Sequence, residues 1–256
     1  MISNIFVKKL IKAKLIKDPI DHVIIDDFLP KKIANKLSAE FGEYNSNHWH
    51  EYKNSVEEKK TCNIWNSFQK NTYTYFSEIL SSDVDKAISK KFKIKVKSDY
   101  GLHGGGQHIH EKLGNLNPHL DYVLHPKINL ERRINVIYYL TDKYSASEGG
   151  HLGFWGNEDS KKPGNLLKEY EPKFNRLIIF NTSQNSWHGL SRLYNPVTKK
   201  YRKSLASYYI SKARKFSSKN FRATFAPRVY QAKDKKVLNL IRLRRSKNGY
   251  RKAYIL

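Results

Sequence analysis

The sequence predicts a mainly β protein with supporting helices, a two-sheet β-barrel or jelly roll, and three observations carry that reading. From residue 92 the apolar pattern turns to period two, and short strand-like runs follow one another as far as residue 210. Gly, Pro and Asn clusters separate these runs. Ahead of them the periodicity is helical, so helices buttress a sheet instead of alternating with its strands.

The elements follow in order. Residues 2–16 set Ile5, Phe6, Val7, Leu10 and Ile11 at helical spacing among lysines, an amphipathic helix for the protein body or for a membrane surface. His22–Asp26 reads as a strand, ended by Phe28-Leu29-Pro30. Residues 31–42 read as a helix with Ile33, Leu37 and Phe41 on one stripe and Gly42 as its C-cap. A second helical region covers about 63–91. Strands are then expected at 93–98, 101–109, 117–123, 132–140, 150–155, 174–181, 187–191 and 203–210. The simplest division is an N-terminal helical and strand support region over 1–95, a catalytic-size β domain over 96–211 and a basic C-terminal extension over 212–256.

Composition narrows the function. With 39% hydrophobic residues in 256, a sizeable core can form. A lone cysteine, Cys62, excludes a disulfide framework and suits a reducing compartment. No apolar run approaches the roughly 18–20 residues of a bilayer helix, and lysines at 8, 9, 12, 14 and 17 leave no secretory signal core. The expectation is a cytoplasmic protein without a transmembrane segment. Its formal charge is +25, of which residues 199–256, with 19 bases and one acid, supply +18. Such a tail attracts a polyanion weakly or forms a solvated lysine-rich face. It holds no nucleic-acid motif, yet it sustains a rival reading: a non-enzymatic nucleic-acid- or polyanion-binding module on a β scaffold.

Three features in the strand-rich half point to chemistry. His119 and Asp121 stand two apart, hence on one face of a strand. The apolar run Arg176–Phe180 leads to Trp187-His188-Gly189. Arg202-Lys203-Ser204 then opens the strand that continues to Ile210. Two imidazoles and one carboxylate hold one face of a metal and leave the other open, the facial triad of non-haem Fe(II) oxygenases. An Arg and a Ser at i, i+2 can bind a carboxylate together. Singly, His119 reads as a strand histidine, Asp121 as a turn residue and His188 as a loop residue. In this order and on strands they read as one site, as a 2-oxoglutarate-dependent oxygenase requires.

Residues 96–211 resemble the catalytic domain of the Fe(II)/2-oxoglutarate-dependent oxygenases of prolyl 4-hydroxylase type. The resemblance rests on Asn117–Tyr122 (NPHLDY), Arg132–Thr141 (RRINVIYYLT), Gly149–Trp155 (GGHLGFW) and Pro172–Phe180 (PKFNRLIIF), together with His188 and Arg202-x-Ser204. It implies a double-stranded β-helix of cupin-like type, with Fe(II) bound by His119, Asp121 and His188. It also implies 2-oxoglutarate held by Arg202 and Ser204, with Tyr139 donating to its carboxylate and Tyr138 pointing away. The dioxygenase would consume O2, with ascorbate a candidate reductant, and form succinate and CO2. Its hydroxylated substrate is open: a protein side chain, a free amino acid, or a sugar, lipid or nucleotide conjugate. Replacing any one metal ligand with alanine is expected to stop turnover and spare the fold. An insertion at 193–200 separates His188 from Arg202 and leaves Lys203 as a competitor for the cosubstrate. The nucleic-acid demethylase pattern R-x-N-x-T-x-R is absent, since the run here is Arg202-x-Ser204-x-Ala206-x-Tyr208. Gly104–Gly106 with His108 and His110 read as a glycine-permitted bend at the mouth, and His103, His125 and His151 as mouth or surface residues. Tyr122 and Trp155 read as core or pocket wall.

Overall fold

A computed structural model describes residues 1–159, 162–215, 217 and 220–246. Helix α1 (Ile2–Lys12) is followed by β1 (His22–Ile25), α2 (Lys31–Ala39) and the hairpin β2 (His50–Asn54) and β3 (Glu57–Cys62). Helices α3 (Lys70–Ile79) and α4 (Ser82–Phe92) come next, then β4 (Lys97–Ser98), β5 (Gly106–His110), β6 (Asn115–Leu116) and β7 (His119–Leu120). The long β8 (Glu131–Tyr139) precedes the hairpin β9 (Leu152–Asp159) and β10 (Lys162–Tyr170). The chain closes with β11 (Arg176–Asn181), β12 (His188–Leu190), β13 (Arg202–Ser211), β14 (Thr224–Phe225) and α5 (Lys235–Arg245).

The strands form two antiparallel sheets. The larger runs β1-β11-β8-β13-β5-β3-β2, with β4 on β13 and β6 on β3; the smaller runs β10-β9-β12-β7-β14. This is the expected jelly roll. Strand alternation divides the larger sheet into two faces. Ile134, Val136, Tyr138, Leu177, Ile179, Leu205 and Tyr209 pack outward against Phe6, Leu10, Leu37, Phe76 and Ile88 of the helices. Each such side chain stabilises the fold by about 1.5–3 kcal/mol through burial. Their neighbours Asn135, Ile137, Tyr139, Ser204, Ala206 and Tyr208 face the space between the sheets. The helices therefore seal one face and leave the other to the site.

Elements outside 96–211 also complete the sheets. β1, β2 and β3 join the larger sheet, and β14 pairs with β7, setting Phe225 opposite His119. β2 and β3 are too charged to show a period-two apolar pattern. β10 contains Pro163 and Gly164 and is tolerated because it is an edge strand. In the basic C-terminal segment, Asp234 caps α5 by accepting from the Lys236 and Val237 amides at 2.8 and 3.2 Å. Val237 and Leu240 then pack with Val56 and Phe225. Residues 247–256 of the expected extension lie outside the described residues.

Helix α5 is tied to the hairpin by a buried ion cluster. Glu57 Oε2 accepts from Arg244 Nη2 at 2.5 Å and Glu57 Oε1 meets Lys59 Nζ at 3.1 Å. Burial alone would raise the Glu57 pKa, but Lys59 and Arg244 outweigh it and lower it to about 2. A depressed carboxyl contributes its full stability above its unfolded value of about 4.5 and loses it as pH falls towards 2. Melting curves of the wild type and Glu57→Gln should therefore stay separated above about pH 5 and converge near pH 2. A separation independent of pH over that range would show that Glu57 is not ionised in the fold.

Candidate active site

The two sheets enclose a cavity of about 500 Å³. On its smaller-sheet wall, His119 and His188 face each other in register on β7 and β12, with ring centroids 4.4 Å apart. Asp121 follows β7 directly. Its Oδ1 lies 3.7 Å from His119 Nε2 and its Oδ2 3.4 Å from His188 Nε2. One ligand atom from each of the three residues lies within 4.8 Å of the others. Among the described residues this is the one such cluster of three.

The rings are aimed by their backbone neighbours. His119 Nδ1 donates to the Asn117 carbonyl at 2.9 Å and His188 Nδ1 to the Ser186 carbonyl at 2.8 Å. A carbonyl only accepts, so each Nδ1 carries the proton and each Nε2 presents a lone pair to the centre. Burial, then the neighbouring His188, holds His119 below its ordinary pKa. Burial pushes the Asp121 carboxyl up, but Arg132 and then His188 hold it well below the carboxylate range. Two imidazole nitrogens and an ionised oxygen suit a divalent transition metal.

Asp121 is itself clamped. Its Oδ2 accepts from Asn135 Nδ2 at 2.9 Å and from Arg132 Nη2 at 3.0 Å, and Arg132 Nε donates to Asn135 Oδ1 at 2.9 Å. The guanidinium lies 3.3 Å from the centroid of the Tyr208 ring and 5.0 Å from that of Tyr122. Residues three apart on a regular strand face opposite ways. A bulge in β8 removes that obstacle: Tyr209 pairs with Ile134 but Ile210 with Arg132, so one residue is skipped. Arg132 and Asn135 thus reach the same carboxylate, a pairing that no two-residue periodicity reveals.

At the far end, the registers gather polar groups onto one face of the larger sheet. Ser204 pairs with Tyr139 on one side and His108 on the other, and Arg202 pairs with His110. Arg202 is 4% exposed, and its Nε donates to the Gly150 carbonyl at 2.8 Å. Gly150 has φ +70°, and a Cβ there would come within 2.9 Å of Arg202 Cδ, so a glycine is required for this approach. The buried Tyr139 hydroxyl has no hydrogen-bond partner. Lys203 turns outward and donates from Nζ to the Ser38 carbonyl at 2.9 Å. Tyr138 points to the helices, where its hydroxyl donates to Asn175 Oδ1 at 2.6 Å.

The residues expected at one site therefore meet in one cavity: His119, Asp121 and His188 at one wall, Arg202, Ser204 and Tyr139 at another. The glycine-rich segment differs from expectation. Gly104 and Gly106, at φ +77° and +91°, do form a bend, but His108 and His110 continue into β5 and line the cavity. His125 and His151 are buried, His125 with Nε2 3.7 Å from Asp99 Oδ2. Arg132, Asn135 and Phe225 were not expected here. Phe225 stacks on His119 with centroids 5.1 Å apart.

Comparison with known proteins adds the following. A family model for the 2OG-Fe(II) oxygenase superfamily matches residues 106–210. Prolyl 3-hydroxylase OGFOD1 of Xenopus laevis is 37% identical over 62 residues, which make up 24% of this chain and 12% of that relative's length. In fold, the chain is similar to a prolyl-4-hydroxylase of Pseudomonas putida, with a TM-score of 0.54 at 16% identity over 83% of this chain and 100% of that one. It is also similar to a Trichoplax adhaerens prolyl hydroxylase in complex with a hypoxia inducible factor peptide fragment, with a TM-score of 0.50 at 18% identity over 82% and 89% of the two chains.

Proposed function

We propose that this chain, an Fe(II)- and 2-oxoglutarate-dependent oxygenase of prolyl hydroxylase type, hydroxylates a side chain of a protein substrate. The observation that carries the reading is the meeting, in one cavity, of a three-donor set with a buried guanidinium and an unpartnered tyrosine hydroxyl. His119, Asp121 and His188 would hold the iron. Arg202, Ser204 and Tyr139 would hold the distal carboxylate of 2-oxoglutarate. When bound, iron and 2-oxoglutarate supply the oxidising chemistry that converts 2-oxoglutarate and O2 to succinate and CO2 as a substrate is hydroxylated.

The chain's own residues hold and orient. The Asn117 and Ser186 carbonyls keep both Nε2 lone pairs aimed inward. Arg132 and Asn135 fix the Asp121 plane by bonding Oδ2, which would leave Oδ1 for a bound metal. The Gly150 carbonyl takes Arg202 Nε and leaves the two terminal nitrogens for a carboxylate. The rest of the cavity wall sets aromatic side chains, His50 and Tyr52 of β2, Tyr122 and Phe221, beside the charged Glu57, Lys59 and Arg244, a mixed surface that could receive an inserted side chain. The name of the curated relative and the peptide in the Trichoplax complex support a protein side chain over a free small molecule.

The rival polyanion-binding reading gains no support from the C-terminal arginines, several of which are structural. Arg214 pairs with Glu131, Arg228 Nη2 donates to Asn115 Oδ1 at 2.6 Å and to the Leu190 carbonyl at 2.8 Å, and Arg244 is buried on Glu57. The deciding experiment supplies Fe(II), O2 and 2-oxoglutarate to the full chain and measures succinate. Succinate formation that needs iron and stops in Arg202→Ala is the expected result. Its absence, with salt-sensitive RNA or DNA binding in its place, would favour the rival.

A further inference from the structure

His110 stands outside every role assigned so far. It is 2% exposed, lines the cavity, and neither ring nitrogen has a hydrogen-bond partner. Buried imidazoles in folded proteins almost always have one. Its position is set by β-sheet register: it is the direct antiparallel partner of Arg202. Directly opposed residues on one sheet face have Cβ atoms about 4.5–5.5 Å apart, so the imidazole and the guanidinium share one end of the cavity. Gly114 packs behind it, where a Cβ would come within 2.6 Å of His110 Cβ.

The donors already assigned at this end are Arg202 Nη1 and Nη2, since Gly150 occupies Nε, and the Ser204 and Tyr139 hydroxyls. A hydroxyl can turn to accept as well as donate, so these groups do not exclude a further donor. Arg202 already neutralises the single charge of a distal carboxylate. What the pocket can still use is a neutral donor, and the surroundings keep His110 in that form. Burial, then Arg202 and Lys59, holds it far below the ordinary histidine pKa.

We propose that His110 is a further cosubstrate-binding residue, donating a ring N–H to the distal carboxylate of 2-oxoglutarate beside Arg202. The proposal rests on the assignment of Arg202 given above. The group recognised is a carboxylate at the end of a short 2-oxo acid, so His110 acts on cosubstrate selection and not on the metal.

The test is calorimetry on the full chain loaded with Zn(II), which is redox-inert, using 2-oxoglutarate and pyruvate as ligands. Pyruvate keeps the 2-oxo acid end and lacks the distal carboxylate. His110→Phe should weaken 2-oxoglutarate binding about tenfold or more, the effect of one lost hydrogen bond to a charged group, and leave pyruvate binding within about twofold. His110→Gln, which keeps a donor, should recover part of the loss. Unchanged 2-oxoglutarate affinity in His110→Phe, with a loss in Arg202→Ala, would overturn this proposal and leave the Arg202 assignment standing. No loss in either variant would overturn both. Should His110→Phe fold poorly, the His110 ring 15N resonances of the Zn(II)-loaded wild type decide: they should shift with 2-oxoglutarate and not with pyruvate. Equal responses to the two acids would overturn it.

Discussion

Asp121→Ala should abolish succinate formation and, unlike His119→Ala, should also lower the melting temperature of the metal-free protein. The first effect follows from losing the one anionic donor of the triad. Outer partners of metal ligands alone are worth 10–100-fold in affinity, so loss of the ligand itself should cost at least about a hundredfold in Co(II) titrations. The second effect corrects the expectation that all three ligands can be removed without cost to the fold. Arg132 is buried, and Asp121 is its ion-pair partner at 3.0 Å. Removing one member of a buried pair leaves an uncompensated charge, at a cost of about 3–5 kcal/mol. Stacking on Tyr208 and Tyr122 offsets part of this. His119 has no comparable dependant, since its Nδ1 bonds only a carbonyl. Equal melting temperatures for the two metal-free variants would mean that Arg132 does not depend on Asp121.

Arg202→Ala should raise the Kd for 2-oxoglutarate by about 30-fold to several thousand-fold, from the roughly 2–5 kcal/mol lost with one member of a buried charge pair. Lys203→Ala is the internal control. Its ammonium lies on the opposite face of β13 and bonds the Ser38 carbonyl, so cosubstrate affinity should stay at the wild-type value. Calorimetry on Zn(II)-loaded protein reads both without turnover. A larger loss in Lys203→Ala would shift the cosubstrate-facing register of β13 by one residue.

The parts of the site that the sequence made legible obey simple periodicity. His119 with Asp121 and Arg202 with Ser204 are i, i+2 pairs, and strand alternation alone sets Tyr139 inward and Tyr138 outward. The strands β8, β11 and β13 were readable for a different reason: both of their faces are covered, so they stand out as near-continuous apolar runs. What was not legible broke the rule or hid under charge. Arg132 and Asn135 meet only through a bulge, which sequence spacing does not announce. The hairpin β2–β3 and helix α5 are rich in lysine, arginine and glutamate, and their apolar contacts are few: Val56 with Phe225, Val237 and Leu240. His108 and His110 follow a glycine bend, and only pairing with β13 tells that they face the cavity. The basic C-terminal segment read as a uniform property of composition, whereas Arg228 and Arg244 spend their charge inside the fold.

The strand that carries His119 and leads into Asp121 is two residues long, and it lies between β12 and β14. So short a strand has almost no ladder of its own, and its place depends on neighbours that the chain supplies much later. Its position is therefore borrowed: His119 pairs with His188 on one side and with Phe225 on the other, and little else in the ladder fixes it. Loosening β14 should for that reason be felt first at the three-donor cluster and last in the long strands β8, β11 and β13.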